Sequence, residues 1–117
     1  MYAFEFIHSH NLLDIRWLGP FSPEAVARYA AELKAAFVHQ GFQAGYRLRM
    51  DMRASAVQPR AALPAFAAHL GDFPRASRIA VVTSGAVARM QVRRIMTQPY
   101  LRIFDTADES FAWLTAA

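Results

Sequence analysis

The sequence contains no cysteine. That excludes a disulfide framework, a thiol nucleophile, a zinc–thiolate site and an iron–sulfur cluster, and it suits a reducing compartment. Lysine is nearly absent too: Lys34 stands alone among 13 cationic side chains, so the other 12 are arginines. These are scattered over every predicted element rather than gathered into a block. The net charge of +4 therefore lacks the patterning of a nucleic-acid footprint, and nucleic acid is not expected as a partner. Apolar runs are short, none approaching the ~20 residues of a membrane span. Met1–Glu5 has no basic region and no small-residue cleavage site follows an apolar run, so no secretory signal is read and a cytoplasmic location is expected. The five glycines make neither a phosphate-binding loop nor a dinucleotide fingerprint.

What is present describes a folded chain. Hydrophobic residues are 55% and charged residues 19% of 117, too apolar for disorder and the right length for one ordinary domain, expected to span residues 1–117. Residues 2–7 and 12–18 are rich in aromatic and β-branched types, with the turn-forming His8-Ser9-His10-Asn11 between them, which predicts an antiparallel hairpin. Leu13, Ile15 and Trp17 alternate with Asp14 and Arg16, so one sheet face is apolar and the other partly polar. Ser22 as N-cap, Pro23 at the first helical position and Glu24 in the first turn then open a helix, with Phe21 placed to pack on Val26. Its apolar stripe runs through Val26, Tyr29, Leu33 and Phe37, and Gly41 suits the position beyond its end.

A third strand is expected at 46–52, where Tyr46, Leu48, Met50 and Met52 alternate with Arg47, Arg49 and Asp51. A second helix lies between Pro59 and Leu70, its start made uncertain by Pro64. Ile79-Ala80-Val81-Val82 is continuously apolar, as in a strand buried on both faces, and is expected in the middle of the sheet. Residues 86–97 form a helix and Tyr100–Phe104 a strand, and Thr106-Ala107-Asp108-Glu109 is a capping box opening a last helix with Phe111, Trp113 and Leu114. The order ββαβαβαβα implies an α/β fold: a mixed five-stranded sheet, mostly parallel with one antiparallel strand, carrying about four helices.

Trp17-Leu18-Gly19-Pro20-Phe21, then Ser22-Pro23-Glu24, then Leu48-Arg49-Met50-Asp51-Met52-Arg53 resemble the SpoIIAA-like, STAS-type domains. So does Leu101-Arg102-Ile103-Phe104-Asp105 followed by a helix closing on Ala112-Trp113-Leu114, and the likeness runs over nearly the whole chain. The resemblance implies a STAS-like fold, often homodimeric, in a group related to anti-sigma-factor antagonists and more distantly to lipid-binding SEC14-type domains. Those antagonists carry an Asp-Ser-Ser-Gly phosphoacceptor shortly after the third strand. Asp51 matches the strand end, but the acceptor segment here reads Pro59-Arg60-Ala61-Ala62 and has no hydroxyl. Ser55, four residues earlier, is the candidate that remains for phosphorylation. The plainer reading is a loop serine bonding its own backbone.

In open α/β sheets the carboxyl ends of parallel strands gather ligand-binding loops. Here that edge collects Asp51, Arg53, Thr83-Ser84-Gly85 and Asp105, with Arg89 a helical turn inward. Ser84, Gly85 and Arg89, joined by Asp51 and Arg53, form a candidate anion or ligand site. The alternative is structural: Ser84 caps the helix while Arg89 and Arg93 cover a solvated face. His8 and His10 have hairpin spacing but no third ligand nearby, so no metal site is assigned. His39 and His69 fall near helix ends, where the dipole favours a histidine cation. Asp51 would act as an acid or base only if buried beside a histidine, no nucleophile–base–orienter set is legible, and no cofactor is expected.

Glu5, Asp14, Arg16, Arg47, Arg49 and Arg102 would share one sheet face, either solvated, covered by helices or covered by a second subunit. Val87, Ala88, Met90, Val92, Ile95 and Met96 leave the third helix little polar surface, which is compatible with a homodimer. The expectation is a non-catalytic regulatory or protein-interaction module. The alternatives are a small-molecule or lipid-binding domain using a pocket between helices and sheet, which an apolar cavity of several hundred cubic ångströms would favour, and a small enzyme.

Overall fold

A computed structural model describes residues 2–19, 22–55 and 63–116. Strands β1 (Tyr2–Ile7) and β2 (Leu12–Trp17) form the expected hairpin through a single 3-10 turn, His8–His10, closed by Asn11 at φ 51°. Then follow α1 (Pro23–His39), β3 (Arg47–Asp51), a 3-10 turn at Arg53–Ser55, α2 (Leu63–Asp72), β4 (Arg78–Val82), α3 (Ala86–Ile95), β5 (Leu101–Phe104) and α4 (Ala107–Leu114). Pro64 sits in the first turn of α2, where a missing N–H costs nothing because first-turn amides have no intrahelical acceptor. The expected Phe21–Val26 contact and the acceptor segment at 59–62 lie outside the described residues.

The sheet order is β1-β2-β3-β4-β5, with β1 antiparallel and the remaining pairs parallel. Every parallel step moves the same way across the sheet, so crossovers of one hand put their helices on one face. Accordingly Val26, Tyr29, Leu33 and Phe37 of α1 and Val92 of α3 share one core with Leu13, Ile15, Leu48, Met50, Ile79 and Val81. Each large side chain buried there contributes roughly 1.5–3 kcal/mol. The rings of Trp17 and Tyr29, 4.6 Å apart, anchor its β1–β2 end.

Helix α4 takes the opposite face, where Leu114 packs with Leu12 and Ala80. It covers part of the polar face, where Asp14 and Arg49 are half-buried, while Glu5 and Arg16 stay exposed. Arg49 donates to both oxygens of Asp14 (Nε–Oδ1 3.0 Å, Nη2–Oδ2 2.8 Å), its register neighbour on β2, and lies over the Phe111 ring. Arg78 donates to the carbonyls of Trp113 and Ala116 at the end of α4, and Arg78 and Arg102 both approach the Trp113 ring. Apolar stems and aromatic rings thus cover the length of Arg49 and Arg78 while their heads keep partners, and Arg102 stays exposed over the Trp113 ring.

One expectation is corrected. β4 is buried on both faces, but the middle strand is β3. The continuously apolar sequence of β4 reports α1–α3 on one side and α4 on the other, not a central place in the strand order.

Candidate functional site

The carboxyl ends of β3, β4 and β5 bring together the residues that the sequence placed there. Asp51, the last residue of β3, accepts three hydrogen bonds from Arg53: from the backbone N–H (3.1 Å), Nε (3.0 Å) and Nη2 (2.7 Å). Burial alone would raise the Asp51 pKa, but the Arg53 hydrogen bonds and charge outweigh it and hold the carboxyl below its ordinary range. Asp51 is therefore ionised at neutral pH, and its partner is an arginine rather than a histidine. Across the edge, Arg89 pairs with Asp105. Thr83 lies between the two pairs, fully buried, its N–H on the Phe104 carbonyl (3.0 Å) and its hydroxyl without a partner among the described residues.

Two details differ from expectation. Ser84 is exposed and does not cap α3; Gly85, at φ 92°, is the N-cap and supplies no side-chain cap. Arg89 points to Asp105 rather than into the turn. An anion at Ser84 and Gly85 would thus meet backbone donors while both nearby arginines are engaged with carboxylates. Ser55 ends the short turn after Arg53.

The histidines divide. The His8 ring stacks edge-on with Phe42 and its Nε2 donates to Gln40 (2.9 Å), whereas the His10 ring meets Phe111, so the two diverge to opposite faces of the sheet. Among the described residues no cluster of three histidine, aspartate or glutamate side chains could hold a metal ion. His39 is exposed. His69, read from sequence as a helix-end cation, is half-buried against Tyr29 and Phe73, and burial pushes its pKa down to about 4. It is a neutral imidazole at pH 7, because desolvation outweighs any benefit from the helix end.

His69 lies on a second concavity at the opposite edge of the sheet. A cavity of about 300 Å³ is enclosed by Tyr29 and Leu33 of α1, Leu48 and Met50 of β3 and Ile79 of β4. Its lining also includes His69 and Gly71 of α2, Pro74 and Arg75 of the α2–β4 connection, and Gln98 and Tyr100 of the α3–β5 connection. The Tyr46 hydroxyl donates to the Pro74 carbonyl (3.0 Å) and so pins one lip. The sequence allowed for a pocket between helices and sheet but did not locate it, because its walls come from five separate stretches of chain with no local pattern in common.

No family model matches the sequence, and no curated protein matches it. The fold does have counterparts among solved structures. An uncharacterized protein of the DUF3478 family from Shewanella loihica PV-4, described as having a SpoIIAA-like fold, superposes with a TM-score of 0.72 at 16% identity, over 97% of this chain and 93% of that one. An anti-sigma factor antagonist from Mycobacterium paratuberculosis superposes with a TM-score of 0.68 at 12% identity, over 99% of this chain and 96% of that one. At these identities the likeness is one of architecture, and it agrees with the strand order, the antiparallel first strand and the helix placement: the chain has a SpoIIAA-like fold.

Proposed function

We propose that this protein is a non-catalytic regulatory module that works by protein contact and self-associates as a homodimer. The observation that carries the reading is the surface beside the carboxyl edge. On α3, Val87 and Met90 are 53% and 48% exposed, one helical step apart, while Ala88 and Val92 face the core. Two Arg–Asp pairs, Arg53–Asp51 and Arg89–Asp105, flank this end of the sheet. A surface that offers exposed methionine together with arginine has the composition that interfaces favour. Resemblance to a fold that includes an anti-sigma factor antagonist supports the same reading.

Sedimentation velocity at tens of micromolar tests it. The wild-type chain is expected to sediment as a dimer and Met90→Asp as a monomer with an unchanged circular dichroism spectrum. A wild-type monomer at that concentration would remove the self-association.

A further inference from the structure

The cavity at the amino ends of the strands has features that the contact reading does not use. The Gln98 side-chain oxygen is buried and has no hydrogen-bond partner among the described residues. Buried acceptors are nearly always satisfied, because leaving one without a donor forfeits its hydration. Gln98 lines this cavity as well as the concavity beside Arg93 and Leu101, and a turn of its side-chain amide would present the oxygen to a donor arriving in the first. The remaining walls are apolar or aromatic. Tyr29 and Tyr46 keep their phenol protons, since burial drives both pKa values upward, and the Tyr46 hydroxyl is already committed to Pro74.

Charge stays at the rim. The Arg75 guanidinium is exposed and rests 4.7 Å from the centre of the Tyr100 ring. His69 contributes an uncharged ring to the wall. An engineered apolar cavity of about 150 Å³ accepts benzene, and this one, at about 300 Å³, has room for a second ring. Rings at edge-on angles, such as Tyr29 against His69 at 74°, offer faces and edges on which an aromatic guest packs well.

We propose that this cavity is a binding site for a neutral two-ring aromatic molecule carrying one hydroxyl or N–H group, which donates to the Gln98 side-chain carbonyl. The site lies at the opposite edge of the sheet from the contact surface, so its success or failure is independent of dimerisation.

2-Naphthol, naphthalene and 2-naphthoate are the probes, titrated into the full chain and followed by amide chemical shifts. 2-Naphthol is expected to bind and to move the amide resonances of Tyr46, Leu48 and Ile79 while leaving Ser84 and Gly85 unmoved. In Gln98→Leu the affinity ratio of 2-naphthol to naphthalene should fall about fivefold, the worth of one neutral hydrogen bond. The wild-type shift map stands without any variant, should Gln98→Leu fold poorly. An unchanged ratio, shifts confined to the carboxyl edge, no saturable binding of 2-naphthol, or tighter binding of the naphthoate anion would each overturn the proposal.

Discussion

Thr83 shows how a single side chain tests the site. It is fully buried at the end of β4, and its hydroxyl has no partner among the described residues. Valine has nearly the same shape without the polar atom. Thr83→Val is therefore expected to stabilise the fold by about 1 kcal/mol, a rise in melting temperature of roughly 4 °C in calorimetry. A comparable fall would mean that the hydroxyl makes a contact the static fold does not record. Charged residues show the limit of pattern reading at this scale. Alternation put Asp14 and Arg49 on the same sheet face, but the fork between them exists because parallel pairing sets Asp14 opposite Arg49. Register belongs to two distant segments and is not written in either alone.

Helices differ in how far their boundaries are local. The start of α1 is fixed by its own residues: the Ser22 hydroxyl accepts from the Ala25 N–H (3.1 Å) and Pro23 follows at the first position. So is its end, where Gly41 at φ 72° lets its N–H reach the Val38 carbonyl (3.0 Å) and the Phe42 N–H reach that of Phe37 (3.1 Å), with the rings of Phe37 and Phe42 in contact. The capping box of α4 is local as well, the Thr106 hydroxyl accepting from the Glu109 N–H. Its far end is not, because Arg78, which takes its last carbonyls, comes from β4. Two glycines separate conformation from space. Neither would bring a Cβ within 4 Å of anything, yet Gly41 has a left-handed backbone and Gly71 lies within α2. Urea denaturation should find Gly41→Ala destabilised by about 1 kcal/mol and Gly71→Ala stabilised by roughly 0.5–1 kcal/mol. Equal signs would show that backbone conformation is not what distinguishes them.

For the whole molecule, acid stability follows from two groups held in their high-pH forms. His69 has a folded pKa of about 4 against an ordinary 6.5, lowered by burial and only partly offset by Asp72. The unfolded chain thus binds the proton first, and stability falls as pH drops from about 6.5 towards about 4. Allowing for solvent screening of a ring that is only partly buried, the loss is on the order of 2 kcal/mol. Asp51 acts at lower pH, since its folded pKa is depressed: its contribution is present above the unfolded carboxylate range and lost as pH falls through the folded value. Melting temperatures between pH 7 and 4.5 are expected to decline for the wild-type chain and to be nearly flat for His69→Gln. Parallel slopes would place the acid-sensitive group elsewhere.

By itself the sequence determined the α/β class, the hairpin followed by alternating helices and strands, both ends of α1, the start of α4 and the residues of the carboxyl edge. These rest on short-range periodicity and capping, in which neighbours along the chain supply both partners. Tertiary structure alone decided the rest. It set β3 at the centre, laid α4 over part of the polar face and turned Arg89 onto Asp105. It buried His69, which pushed its pKa down to about 4. It also assembled a cavity from β2, α1, β3, α2, β4 and two loops. Each of these depends on which distant segments meet, and burial, ion pairing and enclosed volume exist only once they have met.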